Sequence, residues 1–485
     1  MHISSLPGDT GIGTMGAEAR SFVDFLSGAH QTYWQILPLS QTSYGDSPYQ
    51  SFSTFAGNPY FIDFDELKKE GLLENRDYKH VDWESDDEHV NYEALYHKRF
   101  AILRKAVRNF LERNDLNDYH KFLKENEWID DYALFMTVKG LHDDAGILDW
   151  EKKYRIREKE AIDRVKKEHK DDIDFWKVVQ YLFFRQWFAL KEYANSKGIK
   201  IIGDCPIYVA LDSSDVWCNP ELFKVDSNLV PKRVAGVPPD GFTGDGQLWG
   251  NPLYNWPVHK KTGYKWWIDR VNHLCAIYDY VRIDHFRGLS KYYSVKNGEK
   301  TARNGYWSKG PGKSLVKAIR ENTNNNIIVE DLGYADDEVR ELLRYSAYPG
   351  MAVMEFAFGD RANITNENRP YNLKRNQVYY IGTHDNPTIM GWMKSLSKEE
   401  LEFVKEYINY HEGDDFNWEM IRLLWSSVPD TVIIAAQDLL GLDDSARMNE
   451  PGILGGNWMW RARKGVFTKA IQKRLRDLSH LYGRA

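Results

Sequence analysis

Eight short apolar or β-branched runs, each ending in a polar, charged or glycine residue, recur along this 485-residue chain. They are His2 to Ser5, Tyr33 to Leu37, Lys200 to Asp204, Tyr280 to Asp284, Asn326 to Glu330, Met351 to Phe356, Val378 to His384 and Thr431 to Gln437. Runs of this kind are the pattern of parallel strands, buried on both faces and opening at their C-terminal ends into loops. Helical patterns separate most of them, as in RSFVDFLSGA before the second and GKSLVKAIREN before the fifth. Strand and helix in repeated alternation predict an α/β chain folded as a (β/α)8 TIM barrel, a single unit over 1–485.

More than 150 residues lie between the second and third runs, far beyond a βα loop. From 65 to 196 this stretch is charged and has helical period, which predicts an inserted, mainly helical subdomain. A second long stretch, 207–261, carries Pro, Gly, Asn and aromatic residues with little periodicity. It reads as an inserted, ordered loop region at a functional site. About fifty residues follow the eighth run, enough for a closing helix in VFTKAIQKRLRDLSHL and too few for a C-terminal β-domain.

Sixty-four basic and seventy-one acidic residues give a formal charge of -7, with no basic block to serve as a footprint for nucleic acid. Cys205, Cys218 and Cys275 have neither disulfide-framework nor zinc-site spacing, so no metal or cofactor is expected. No run of eighteen apolar residues and no basic, then apolar leader is present, so neither a membrane partner nor export is expected, and the cytoplasm is the expected compartment. Aromatic residues reach 14%, including 17 Trp and 29 Tyr. Flat apolar rings of this kind stack on sugar faces as well as in cores.

Three carboxylates stand at the ends of three different predicted strands: Asp284 in YVRIDHFRG, Glu330 in IIVEDLG and Asp385 in YYIGTHDNP. In a barrel the C-terminal strand ends converge, so groups a hundred residues apart face one substrate. Two carboxyls about 5 Å apart divide the work of a retaining glycosidase, one attacking the anomeric carbon and one protonating the leaving oxygen. Any one of the three alone reads more simply as a helix cap or an ion-pair partner; the constellation carries the reading. Arg282, two residues before Asp284, shares its strand face and is expected to keep that carboxylate ionised. His384 is placed to bond sugar hydroxyls, and Asp204, at the end of the third run, is expected to support the site.

RIDHFRG, VEDLG and GTHDN, in this order, resemble conserved regions of the α-amylase clan, with GDCPIYVALDSSDVW in the place of the clan's first region. Their form, together with SPYQSFSTFAGNPYFIDFDEL, GQLWGNPLYNW and RMNEPGILGGNWMWR, resembles the amylomaltases, or 4-α-glucanotransferases, across nearly the whole chain. The resemblance implies a retaining transferase of α-1,4-glucan segments between maltooligosaccharides. It makes Asp284 the nucleophile, Glu330 the acid/base and Asp385 the residue that binds and distorts the sugar. It implies that Arg282 and His384 line that sugar's subsite, that Tyr49 stacks or hydrogen-bonds near the donor sugar, and that Trp249 and Asn251 belong to a loop over the acceptor; Asp204 and Asn457 are counted among the substrate-binding residues as well. A hydrolase of the same clan is the nearest alternative. Family members carry a short stretch before HISSLPG, so a start inside or just before the first barrel strand is expected here.

Overall fold

The computed structural model describes every residue except 44, 240–242, 325, 334 and 335. In chain order the strands are β1 (Tyr33–Gln35), β2 (Lys200–Cys205), β3 (Arg233–Val237), β4 (Gln247–Pro252), β5 (Tyr280–Ile283), β6 (Lys291–Lys296), β7 (Tyr306–Lys309), β8 (Ile327–Val329), β9 (Gly350–Val353), β10 (Gln377–Tyr380) and β11 (Thr431–Ile433). The order β1-β2-β5-β8 forms one sheet and β9-β10-β11 a second, and every pairing within both is parallel. Seven of the eight expected runs contain a strand of these two sheets. The sheets meet where the Val329 amide donates to Pro349 O at 2.9 Å and the Met351 amide donates to Asp331 Oδ1 at 2.7 Å.

Parallel strands pack apolar side chains on both faces, and here the inner faces share one interior. Ile202 of β2, Ile328 of β8, Met351 and Val353 of β9, and Val378 and Tyr380 of β10 form one buried cluster. Tyr33 of β1, Tyr280 of β5 and Ile433 of β11 pack against it. All seven parallel strands thus contribute to it, and each large apolar side chain fully buried there contributes about 1.5–3 kcal/mol. Gly203 on β2 allows the closest approach on the outer side: a Cβ there would lie 2.2 Å from the Tyr278 ring, whose hydroxyl accepts a bond from the Leu39 amide.

The expected first strand is not a strand. Residues 2–6 turn, with the Ser5 amide donating to His2 O and the Leu6 amide to Ile3 O. Two serines followed by Leu6, Pro7 and Gly8 supply turn chemistry that outweighs the apolar start. The edges of β1 and β11 therefore flank a cavity of about 230 Å³, lined by residues that include Met1, Tyr33, Trp34, Val432 and Ile433.

The stretch from 65 to 196 carries helices only, the longest being Lys170–Ser196. Specific polar groups tie it to the segments that lead into the sheets. Gln180, fully buried, exchanges hydrogen bonds with both backbone groups of Gly57, and the Trp187 indole donates to Ile277 O. The stretch 207–261, expected as an inserted, ordered loop region, contains two strands. β3 and β4 lie within it and join β6 and β7 in an antiparallel sheet of order β4-β3-β6-β7. Gly236 and Gly250 dilute the period-two signal, and a register shift between Val234 and Gly236 interrupts it; residues 240–242 of that stretch lie outside the described set.

Candidate active site

Parallel pairing sets the site's geometry, because the register of β2 on β5 places Asp204 beside Arg282. Arg282 is 4% exposed and its guanidinium forks: Nη1 donates to Asp204 Oδ2 at 2.6 Å and Nη2 to Asp284 Oδ1 at 2.8 Å. A buried guanidinium between two carboxylates is a rigid mount, since moving either acid leaves a desolvated charge behind. Asp204 also accepts from the Tyr49 hydroxyl at 2.7 Å. At 2% exposure it supports Arg282 and Tyr49 and offers no surface to a sugar, a correction to its expected place among the substrate contacts.

Glu330 follows β8 and reaches back to the strand that carries Asp284. Its Oε2 accepts from the His285 amide at 2.8 Å and its Oε1 from the Leu332 amide at 2.6 Å. His285 presents that amide from a left-handed conformation, φ 50°, which costs a non-glycine residue about 1 kcal/mol and is held by the contacts around it. Burial pushes Glu330 up, the charge of Asp284 adds to the rise, and Arg282 and the Leu332 amide oppose it, leaving the carboxyl at about 8. Burial also raises Asp284, to about 6, with Arg282 pulling down and Asp204 and Asp385 pushing up. Arg282 therefore does not hold Asp284 below the ordinary range, because desolvation outweighs it. Glu330 is raised further than Asp284, the order that lets one acid keep its proton while the other is ionised.

The turn after β10 completes the site. His384 stacks on Tyr49, with centroids 5.2 Å apart and planes 18° from parallel, and Trp458 flanks both rings. The Asp385 side chain is half-exposed, at 48%, with its Oδ1 3.4 Å from His384 Nε2. Asn449 Nδ2 donates to that same oxygen at 2.6 Å, and Arg447 Nη2 donates to the backbone oxygen of Asp385 at 2.7 Å. Neither Arg447 nor Asn449 was expected from the sequence as a site residue. RMN, which opens the RMNEPGILGGNWMWR motif, was the available signal, but nothing in the spacing says which of its side chains turns toward Asp385.

Asp284, Arg282, Asp204, Tyr49, His384 and Asp385 thus form one continuous chain of contacts, which Glu330 joins through the His285 amide. Trp249, Asn251 and Asn457 lie outside this chain of contacts. Trp249, half-buried on β4, meets His285 edge to face at 4.9 Å and donates through its indole to Gln247. Asn251 is 5% exposed: its amide trades bonds with Gln50 and donates to Val209 O. It therefore latches β4 onto the segment that bears Tyr49 and has no free donor for a sugar. Asn457 bonds Glu450 and Ile453, closing its own loop. Among the described residues no group of three or more His, Cys, Asp or Glu could hold a metal ion, and no helix is long and apolar enough to cross a membrane.

A family model described as 4-alpha-glucanotransferase matches residues 1–467. A 4-alpha-glucanotransferase of Clostridium butyricum is 48% identical over 488 aligned residues, covering 100% of both chains. One of Streptococcus pneumoniae serotype 4 is 46% identical, covering 100% of this chain and 96% of its own. Among solved structures, an amylomaltase from Streptococcus agalactiae in complex with acarbose is similar with a TM-score of 0.98 at 44% identity, over 100% of this chain and 98% of that one.

Proposed function

Since the chain belongs to the 4-alpha-glucanotransferase family and is accordingly an enzyme of α-1,4-glucan transfer, we propose that it works by double displacement, with Asp284 as nucleophile and Glu330 as acid/base. Asp284 attacks the anomeric carbon as Glu330 gives its proton to the departing glycosidic oxygen, leaving a glucosyl ester on Asp284. An acceptor 4-hydroxyl then loses its proton to Glu330 and displaces the ester, so the α configuration is kept. One observation carries this assignment: the Glu330 carboxyl accepts from the His285 amide next to Asp284, and its partly buried place beside that charge pushes it up to about 8. Asp385 and His384 hold the sugar at the cleavage point, and Tyr49 sets the donor side. Maltooligosaccharides are the substrates, in keeping with the family's α-1,4-glucan transfer.

We read the frame for this chemistry as a (β/α)8 barrel in which seven parallel strands contribute to one interior cluster and the turn at residues 2–6 stands in the place of the remaining strand. Three free cysteines suit the reducing cytoplasm.

Hydrolase and transferase share the ester and differ in what reaches it first. A bound, well-oriented acceptor hydroxyl gains an effective concentration of up to about 10⁵ M or more, enough to outrun water. Trp249, against His285 next to the nucleophile, is placed to form that acceptor surface. Tyr254, in the same stretch, is buried and bonded to Ile207 O and forms no part of it. Incubated with maltotriose, the enzyme is expected to yield glucose with maltopentaose and longer chains, and almost no rise in total reducing ends. Trp249→Ala is expected to raise the hydrolysed fraction. Reducing ends appearing in step with every bond broken in the wild type would establish the hydrolase reading instead.

A further inference from the structure

We propose that Asn449, with Arg447, is a positioning residue for the transfer reaction: it fixes one oxygen of Asp385 and so turns the other toward the sugar. The inference rests on the reading of Asp385 as a sugar-holding group and goes one step further, to what holds Asp385.

Asp385 sits on an irregular turn, half-exposed, and a carboxylate in such a place has free rotation about both side-chain bonds. The turn's own sequence offers the carboxylate only a long contact, His384 Nε2 at 3.4 Å from Oδ1, since the Thr383 hydroxyl accepts from the Asp385 backbone amide at 3.3 Å and does not reach the carboxylate. The restraint comes from a segment more than sixty residues later. Asn449 Nδ2 donates to Oδ1 at 2.6 Å, and among the described residues no donor reaches Oδ2. The Asn449 amide donates to His384 O at 3.1 Å, and Arg447 closes the clamp by bonding both Asp385 O and Asn449 O. Backbone and side chain of Asp385 are thus gripped by one short piece of chain. That piece is itself anchored, because Met448 between the two is buried with Leu37, Trp458 and Trp460 and receives the Trp458 amide on its carbonyl.

An amide serves this task better than a charged donor. Asn449 supplies one N–H to a carboxylate without adding a positive charge, and its short side chain has few rotamers to lose. With Oδ1 occupied, Oδ2 is left as the acceptor for a sugar hydroxyl at a fixed place. Interactions that strengthen as the sugar distorts act on turnover more than on binding, so the effect should fall mainly on kcat.

The test is a double-mutant cycle measured on maltotriose and, where rates are low, on α-glucosyl fluoride. Asn449→Ala should lower kcat by about 10- to 100-fold, the range for a hydrogen bond to a charged group, with KM little changed and the thermal midpoint close to wild type. Asn449→Asp keeps the shape but replaces the donor by a second carboxylate, and should fall at least as far; a role in shape alone predicts that it is tolerated. In an Asp385→Ala background, Asn449→Ala should cost less than about threefold, because its target is gone. Equal losses in both backgrounds, or wild-type turnover in Asn449→Asp, would overturn the positioning role while leaving Asp385 in place. Near-normal turnover of Asp385→Ala alone would instead overturn the underlying reading of Asp385. If Asn449→Asp unfolds, Asn449→Ser, which shortens the donor, takes its place in the comparison.

Discussion

The ends of β5 and β8 and the turn after β10 hold their acids in different ways. Asp284 and Glu330 continue two neighbouring strands, the main chain of each bonded across to its neighbour, and Arg282 grips Asp284 from the same strand face. Asp385 stands on a turn, with a carboxylate that depends on Asn449. The first pair is mounted by local, buried structure and the third acid by a distant segment. A group that reacts covalently must keep its distance to a partner, and strands set such distances firmly. A group that follows a distorting sugar is better carried on a turn whose restraint comes from one amide.

Loss of the strand-mounted nucleophile should have the largest effect. Asp284→Asn keeps an oxygen for Arg282 Nη2 and leaves the Arg282–Asp204 pair intact, so the protein should fold with a wild-type thermal midpoint. Turnover of maltotriose should drop by about 10⁴-fold or more, the scale of losing an essential reacting group, and a fluorinated α-glucosyl trap should leave no ester. Turnover near the wild-type level would dissolve the distinction between the two regions at its root.

The acid/base should come next and carry a pH signature. The first step needs Asp284 ionised and Glu330 protonated, so kcat/KM should rise as pH climbs through about 6 and fall as it passes about 8. Glu330→Gln should cost about 10²- to 10⁴-fold on maltotriose. On α-glucosyl fluoride, whose leaving group departs unaided, the loss in forming the ester should be far smaller and the falling limb should vanish. Equal losses on both substrates would point to another acid.

The same contrast explains what could be read from the sequence. Asp284, Glu330 and Arg282 were legible because a strand fixes side-chain direction by parity, and residues 282 and 284 must share a face. Asp385 was legible as a residue, but Asn449 was not found, since a contact across sixty residues of loop and helix leaves no period to follow. Asn251 was expected over the acceptor because the stretch that carries it resembles a family loop, and Tyr254 lies in the same aromatic, glycine-rich stretch. Composition there does not distinguish a side chain that faces a ligand from one that pins the loop, and both turned out to pin it. β3 and β4 were missed for a related reason, as two glycines and a register shift blur the alternation. His2 to Ser5 was expected as a strand, yet residues 2–6 turn, and backbone bonds three residues apart decide the outcome.

Tyr49 bridges the two regions, and its smallest change sharpens the comparison most. Its hydroxyl bonds Asp204, on the strand side, and its ring lies on His384, on the turn side. Tyr49→Phe removes the first contact and keeps the second. Asp204 retains Arg282, so the change takes one of two donors from a buried carboxylate and should cost about 1.5 kcal/mol, roughly tenfold in kcat/KM. Because the ring still covers His384, the turn should be undisturbed. Tyr49→Phe and Asn449→Ala should then multiply, as independent changes do. Tyr49→Ala strips both contacts and should interact with Asn449→Ala, because each loosens the His384–Asp385 turn. The check is kcat/KM on maltotriose for the three single variants and the two doubles. Strong non-additivity already with phenylalanine would mean that the hydroxyl couples the regions through Asp204, and that the site is one network and not two separately mounted halves.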